Sequence, residues 1–135
     1  LRSPPGRGPL VGELQRLRAE YGALGLTVEV VVDDEDDGAA LDPAQAEVVI
    51  ATAREALTNA ARHGRATEAT VALRVGADVV ALDVFDNGGG SGDDVREGLG
   101  LLGIRERVGA IGGDVVLGSY EEGVRLSVTL PRSVP

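Results

Sequence analysis

The chain has 135 residues and a formal net charge of −9, and 43% of its residues are hydrophobic while only 2% are aromatic. This length suits one domain with an aliphatic core, and the acidic charge argues against nucleic acid or an anionic membrane as the main partner. The sequence has no Cys, which excludes disulfides, thiolate metal sites and a cysteine nucleophile and is compatible with a reducing compartment. One His excludes multi-histidine metal sites, and because every basic residue is Arg, a lysine-dependent phosphate loop is excluded as well.

The first third of the chain predicts a linker, a helix and a strand. Residues 1–9 are rich in Pro and Gly and are interpreted as a linker from a missing dimerisation helix, so that the domain proper covers residues 10–135. Residues 10–23 carry apolar side chains at helical spacing, which predicts an amphipathic helix that ends near Gly22 or Gly25. The β-branched residues 26–32 predict a strand.

An acidic segment and a long helix follow. Residues 33–38 are mostly Asp and Glu, and we interpret them as a solvated connection because their spacing does not match a calcium loop. Asp42 and Pro43 form a helix N-cap followed by proline at the first helical position. The helix that they open is predicted to run to His63, with Gly64 as its C-terminal stop.

The second half of the chain predicts four strands and one more helix. Strands are expected at 69–75, 79–86, 114–117 and 124–130, and a helix at 99–111. The element order is then α-β-α-β-β-α-β-β. This order predicts an α/β fold, a two-layer sandwich with a mixed β-sheet and its helices on one face. No apolar run is long enough to span a bilayer.

The long helix carries the most informative polar cluster. Glu55 and Asn59 lie one helical turn apart, and Arg62 and His63 follow one turn further on. A carboxylate, a neutral oxygen ligand and two phosphate partners along one helix are what a magnesium-nucleotide site requires. A helical Glu and Asn taken alone are more often ordinary surface residues, and it is the adjoining Arg and His that favour a site.

Two glycine-containing segments could complete such a site. Asp86 ends an apolar strand and is followed by Asn87 and glycines that include Gly88 and Gly90, which is typical either of a turn or of a carboxylate facing a pocket for a flat base. Gly98 and Gly100 precede Leu101 at a helix entry, where backbone N–H groups and the helix dipole favour an anion. A flexible helix entry would explain the same glycines.

Residues 105–107 form a third charged group within the last predicted helix. They are Arg-Glu-Arg between Ile104 and Val108. We interpret them as a solvated outer face in preference to a phosphate contact.

The order and spacing of these segments resemble the nucleotide-binding domain of the GHKL superfamily, the Bergerat ATP-binding fold of gyrase, Hsp90, MutL and histidine kinases. Residues 54–59 with Arg62 and His63, together with residues 100–108, are similar to one branch in particular. That branch comprises bacterial sensor histidine kinases of the nitrate/nitrite-sensor type, which pair with LuxR-type response regulators. The resemblance covers residues 10–131.

The resemblance implies a role for each matching residue. Glu55 would be the catalytic base or polariser and Asn59 the Mg²⁺ ligand. The ATP-binding residues would be Asn59, Arg62, His63, Asp86, Gly88, Gly90, Gly98, Gly100 and Leu101, with Asp86 accepting a hydrogen bond from the adenine amino group. ATP and Mg²⁺ are the implied cofactors.

The same resemblance implies partners and a cellular location. The γ-phosphoryl group of ATP would pass to a histidine on dimerisation helices that are missing from this chain, and from there to a cognate response regulator. We expect a cytoplasmic location, no nucleic-acid partner and no direct membrane contact from this fragment, although the parent protein could be anchored in a membrane. The alternatives are a regulatory module that binds adenine nucleotide without phosphotransfer, and an anti-sigma-factor serine kinase.

Three features depart from the family pattern. Only residues 91–97 separate Gly90 from Gly98, so the segment that would cover the nucleotide is short. Val124 stands where the family often has Thr. The sole histidine, His63, lies in the predicted nucleotide segment and is therefore not the phospho-acceptor.

Overall fold

A computed structural model describes residues 8–34, 41–62, 65–88, 100–120 and 123–132. Within these residues the predicted order of three helices and five strands is confirmed. The elements are α1 (Gly8–Gly22), β1 (Thr27–Asp34), α2 (Pro43–Arg62), β2 (Glu68–Val75), β3 (Val79–Asp86), α3 (Leu101–Ala110), β4 (Asp114–Tyr120) and β5 (Gly123–Pro131).

The five strands form one mixed sheet in the order β1-β2-β3-β5-β4. Strands β1 and β2 are parallel, because α2 carries the chain back to the same end of the sheet between them, and the other neighbouring pairs are antiparallel. Strand β5 therefore lies between β3 and β4, although it follows both in the chain.

One face of the sheet is buried and carries the helices. Leu73, Leu82 and Val128 form one cross-strand row on this face, and all three are buried with side chains of the helices in a single hydrophobic cluster. The opposite face is polar at the corresponding rows, where Asp83 accepts hydrogen bonds from Ser127 and Arg125. The predicted two-layer α/β sandwich with helices on one face is thus confirmed.

Helix α2 begins as predicted, with reciprocal capping. The Gln45 N–H donates to Asp42 Oδ1 over 2.9 Å, and the Asp42 N–H donates to Gln45 Oε1 over 3.4 Å. The same buried Gln45 side chain donates to the carbonyl oxygens of Pro131 and Arg132. These contacts fix the start of α2 against the end of β5, which orients the helix over the sheet.

The boundaries of several elements differ from the predictions by one to three residues, most at β4, which runs to Tyr120 where the prediction ended at residue 117. Helix α1 begins at Gly8, and β1 extends through Asp34 because its parallel ladder with β2 continues to the pair Asp34↔Val75. The first acidic residues of the predicted connection are therefore part of a strand, while residues 35–40 lie outside the described residues.

The charged residues of α3 have the predicted orientation. Residues 105–107 are exposed, while Ile104 and Val108 are buried. Arg105 donates to the carbonyl oxygen of Val115 over 3.2 Å. In the part of the chain that the structure describes, no helix combines the length and apolarity needed to cross a membrane.

Candidate functional site

A narrow cavity lies where the end of β3 meets α2, α3 and β5. Its walls are mostly aliphatic, and its polar lining side chains are an amide and a carboxylate. It is lined by Ala56, Asn59, Val84, Asp86, Leu101, Ile104, Leu117, Val124 and Leu126. The structure thus brings Asn59 and Asp86, which are far apart in sequence, to one cavity.

Asp86 is the last residue of β3 and is only 4% exposed. Its Oδ1 accepts a hydrogen bond from the Gly88 N–H over 2.8 Å, and Gly88 is itself buried. A carboxylate has about four lone-pair positions and can therefore accept further hydrogen bonds. This arrangement fixes Asp86 as an oriented acceptor on the cavity wall.

The neighbouring Asn87 explains the turn-like character of this segment. Its Oδ1 accepts the N–H groups of Thr67 and Glu68 at 2.9 and 3.0 Å, and its Nδ2 donates to the Thr67 hydroxyl. Asn87 therefore ties the end of β3 to the start of β2. Asn87 thus shapes the chain as a turn residue does, while Asp86 lines the cavity, and the role of this cavity as a pocket for a flat base stays a prediction.

Gly123, which was not predicted as a site residue, supports Asp86 from the adjacent strand. A Cβ atom at Gly123 would overlap the carbonyl oxygen of Asp86 and lie 2.9 Å from its carbonyl carbon. The absence of a side chain allows β5 to approach β3 at this point and to pair Val124 with Asp86. The sequence signal was weak, since a glycine before a strand is also typical of a turn.

Glu55 lies beside the cavity, at the contact between α2 and α3. It is half-buried, and a Cβ atom at Gly100 would collide with its carboxylate and lie 2.8 Å from its Cγ. Gly100 is the N-cap of α3 and has φ +81°. The structure therefore places Gly100 against the predicted catalytic carboxylate, at the N-terminus of a helix whose dipole favours negative charge.

The other predicted site residues are distributed as follows. Leu101 is buried and lines the cavity, while Arg62 ends α2 with its side chain exposed and is not among the lining residues. His63, Gly90 and Gly98 lie outside the described residues.

The apolar walls of the cavity were not identified as site residues from the sequence. Ala56, Val84, Ile104, Leu117 and Leu126 have the spacing of ordinary core residues, and all but Ala56 and Leu117 are fully buried. No local signal separates a core aliphatic residue from one that lines a ligand cavity. An apolar slot with one carboxylate at its wall suits a flat heteroaromatic ring that carries an amino donor.

The described residues of this site can supply one ligand to Mg²⁺. Among the described residues, no group of three or more His, Cys, Asp or Glu side chains is placed to hold a metal ion. Mg²⁺ usually takes one or two protein ligands and completes its shell with phosphate oxygens and water. The half-buried Asn59 amide on the cavity wall can supply one such oxygen.

Comparison with known proteins identifies relatives for most of the chain. The family model described as "Histidine kinase-, DNA gyrase B-, and HSP90-like ATPase" matches residues 44–134. Sensor histidine kinase NarS of Mycobacterium tuberculosis is 33% identical, with 93% of this chain and 29% of the relative covered. Signal transduction histidine-protein kinase/phosphatase UhpB of Salmonella typhimurium is 33% identical, with 71% of this chain and 19% of the relative covered. The resemblance inferred from the motifs is confirmed, and the chain spans less than a third of the length of these relatives.

Solved structures show the same fold. The histidine kinase domain of the Erythrobacter litoralis EL346 blue-light activated histidine kinase superposes with a TM-score of 0.71 at 22% identity, covering 98% of this chain and 65% of that chain. Acinetobacter baumannii histidine kinase AdeS superposes with a TM-score of 0.67 at 18% identity, covering 93% of this chain and 64% of that chain.

Proposed function

The chain belongs to the family of histidine kinase-, DNA gyrase B- and HSP90-like ATPases, and from that premise we propose that its cavity holds the adenine base of Mg-ATP for phosphoryl transfer. The observation that carries this proposal is the meeting of Asn59 and Asp86 on one largely aliphatic cavity. Asp86 accepts a hydrogen bond from the adenine amino group, and the aliphatic walls enclose the ring. Asn59 lies at the edge of the base pocket, where the phosphate chain of the bound nucleotide begins.

The remaining predicted residues complete the base pocket and form the phosphate end of the site. Glu55 acts as the general base or polariser, and Arg62 and His63 contact phosphate oxygens. Gly88 and Gly90 shape the base pocket, and Gly98, Gly100 and Leu101 form the helix entry beside the phosphates. Asn59 would hold Mg²⁺, and the bound ion would supply charge neutralisation for the phosphate oxygens. The protein contributes mainly positioning and charge complementarity, as is usual in phosphoryl transfer.

The phospho-acceptor in this proposal is a histidine on dimerisation helices outside this chain. Relatives that share the domain are sensor histidine kinases by name, and the sole histidine of this chain, His63, lies in the predicted nucleotide segment. The phosphoryl group then passes to a cognate response regulator. We place the domain in the cytoplasm, where ATP is supplied.

A second candidate function is nucleotide binding without transfer. It is favoured by Val124, an apolar residue on the cavity wall directly opposite Asp86. A base held there meets a carboxylate acceptor but no hydroxyl from β5. A regulatory module needs only the bound nucleotide, so it tolerates such a site.

The first experiment tests the base pocket. Asp86→Asn keeps an oxygen for the Gly88 N–H but replaces the second carboxylate oxygen with an amide donor. We expect the affinity for Mg-ADP, measured by calorimetry, to fall about 10- to 100-fold, the range of a lost charged hydrogen bond. Asp83→Asn is the matched control, because it removes the same charge from the same strand on the opposite face of the sheet. Equal affinities in Asp86→Asn and the parent chain would remove Asp86 from the site.

The second experiment separates kinase from passive binder. In the full-length protein, Glu55→Gln should lower the rate of histidine phosphorylation by about 100-fold or more, the range of a general base, while the affinity for nucleotide changes little. Glu47→Gln, on an exposed position of the same helix, controls for loss of charge. Radiolabelled ATP at saturation gives the rates. No phosphohistidine in the unmodified full-length protein would favour the regulatory module.

A further inference from the structure

Helix α1 precedes the residues that the family model matches, yet it is part of the core. Leu14, Leu17 and Tyr21 are 1%, 2% and 4% exposed and belong to the same hydrophobic cluster as α2 and the sheet. On the surface above them, Arg54 of α2 forms an ion pair with Glu20 over 2.8 Å. Exposed pairs of this kind contribute little to stability, so the buried contacts determine how α1 and α2 fit together.

The hydroxyl group of Tyr21 makes the polar contact inside this interface. It lies 2.5 Å from Thr58 Oγ1, and it donates to the carbonyl oxygen of Arg54 over 3.3 Å. Either of the two hydroxyl groups can be the donor in the bond between Tyr21 and Thr58. The hydroxyl group of Tyr21 in α1 thus contacts both a side chain and the backbone of α2.

Both partners of Tyr21 immediately precede a residue of the proposed nucleotide site. Arg54 precedes Glu55, and Thr58 precedes Asn59. Successive residues of an α-helix are about 100° apart around its axis, so the stripe that Tyr21 holds lies next to the stripe that carries Glu55 and Asn59. A helix turns as one body, and the orientation of one stripe therefore fixes the other.

The rotation of α2 about its axis must be set precisely if its side chains are to be aligned with the phosphates. Side-chain ends lie about 5–6 Å from a helix axis, so a rotation of about 10° moves them by about 1 Å. A displacement of about 1 Å is enough to cost about two orders of magnitude in a reaction that depends on alignment. A hydrogen bond weakens steeply when its angle is distorted, so bonds with fixed partners oppose such a rotation.

We propose that Tyr21 is a positioning residue for the nucleotide site: its hydroxyl, bonded to Thr58 and to the Arg54 carbonyl, sets the rotation of α2 that presents Glu55 and Asn59 to the phosphates. This role rests on the proposed function. It makes α1 part of the support of the site, although α1 contributes no residue to the cavity wall.

The test uses Tyr21→Phe, which keeps the ring in the core and removes only the hydroxyl. We expect the affinity for Mg-ADP to fall about 3- to 10-fold at a temperature where the variant is fully folded, in line with the value of one hydrogen bond. Thr58→Val removes the other partner and should give a similar loss of affinity. Thr58→Ser keeps the hydroxyl group and should bind as the parent chain does. Glu20→Gln removes the surface ion pair between the same helices and should leave the affinity unchanged.

The double variant Tyr21→Phe/Thr58→Val tests whether the bond between these residues positions the nucleotide site or only stabilises the fold. If one bond acts on the site, the double variant binds no more weakly than the weaker single variant. A lower melting temperature with unchanged affinity in both single variants would overturn the proposal and leave Tyr21 a structural residue. Failure of the parent chain itself to bind Mg-ADP would instead contradict the proposed function.

Discussion

Gly100 combines a left-handed backbone conformation with a lack of space for any side chain. The backbone has φ +81°, a region that other L-residues adopt at a cost of about 1–2 kcal/mol, and the space of a Cβ atom is taken by the Glu55 carboxylate. The cap of α3 and the predicted catalytic side chain are therefore in direct contact. A change at this glycine reaches the site through Glu55.

Gly100→Ala should lower the free energy of unfolding by about 1–3 kcal/mol through backbone strain and collision with Glu55. It should also weaken nucleotide binding. Gly103→Ala is the matched control in the same helix, because a Cβ atom there meets nothing within 4 Å. Since alanine favours a helix over glycine, this control should stabilise the protein by about 0.5–1 kcal/mol. Urea denaturation measures both, and equal effects of the two substitutions would contradict the contact with Glu55.

Residue patterns predicted Asp86 better than they predicted its surroundings. An Asp at the end of an apolar strand followed by glycines is a local signal, and the structure places Asp86 on the cavity wall. Gly123 and Val124 come beside it only because β5 pairs with β3. That pairing joins distant segments, and no local pattern specifies it.

At the scale of secondary-structure elements, α2 is the helix that joins the helix layer to the sheet. Its capped start is held by the end of β5, its middle is buried, and it ends at Arg62, one of the predicted phosphate partners. Within this helix Thr52 is 1% exposed, and its Oγ1 is the buried side-chain polar atom that lacks a hydrogen-bond partner among the described residues. A buried hydroxyl without a partner costs about 1–3 kcal/mol.

Thr52→Val should therefore raise the free energy of unfolding by about 1 kcal/mol, because it replaces the hydroxyl with a methyl group of similar size. Thermal and urea denaturation measure the effect. Thr52→Ser keeps the hydroxyl, loses the methyl group and should destabilise. A loss of stability in Thr52→Val would mean that the hydroxyl has a partner in solution, such as a bound water molecule.

The elements themselves were predictable because their signals are local. The Asp42-Pro43 pair marked the start of α2, and the residues of β3 were predicted at the bounds that the structure shows. Strand β1 was predicted too short, because its last acidic residues resemble a loop and are held only by the ladder to β2. Tyr21 lies within residues 10–23, whose apolar spacing predicted α1, and nothing in that spacing indicates the bond to Thr58.

For the whole molecule, the acidic net charge and the anionic ligand of the proposed function have to be reconciled. A charge of −9 opposes the approach of a nucleotide at long range, but such interactions are screened beyond about 8–10 Å at physiological ionic strength. Binding therefore depends on the short-range features of the site, which are the helix entry at Gly100, the Asn59 amide and the apolar slot. The acidic composition of the chain argues against anionic macromolecules as partners. In the proposed function, the local geometry of the site accounts for the binding of a nucleotide.

The position of β5 has a consequence for how the protein is made. As a ribosome releases the chain, β3 and β4 emerge before the strand that must lie between them. Until Gly123–Pro131 inserts, the carbonyl edge of Asp86 is exposed and the base pocket lacks a wall. Long-range strand pairing forms slowly compared with helices, so we expect the proposed base pocket to be completed only when β5 pairs with β3. A nucleotide that binds the completed pocket would then stabilise the sheet.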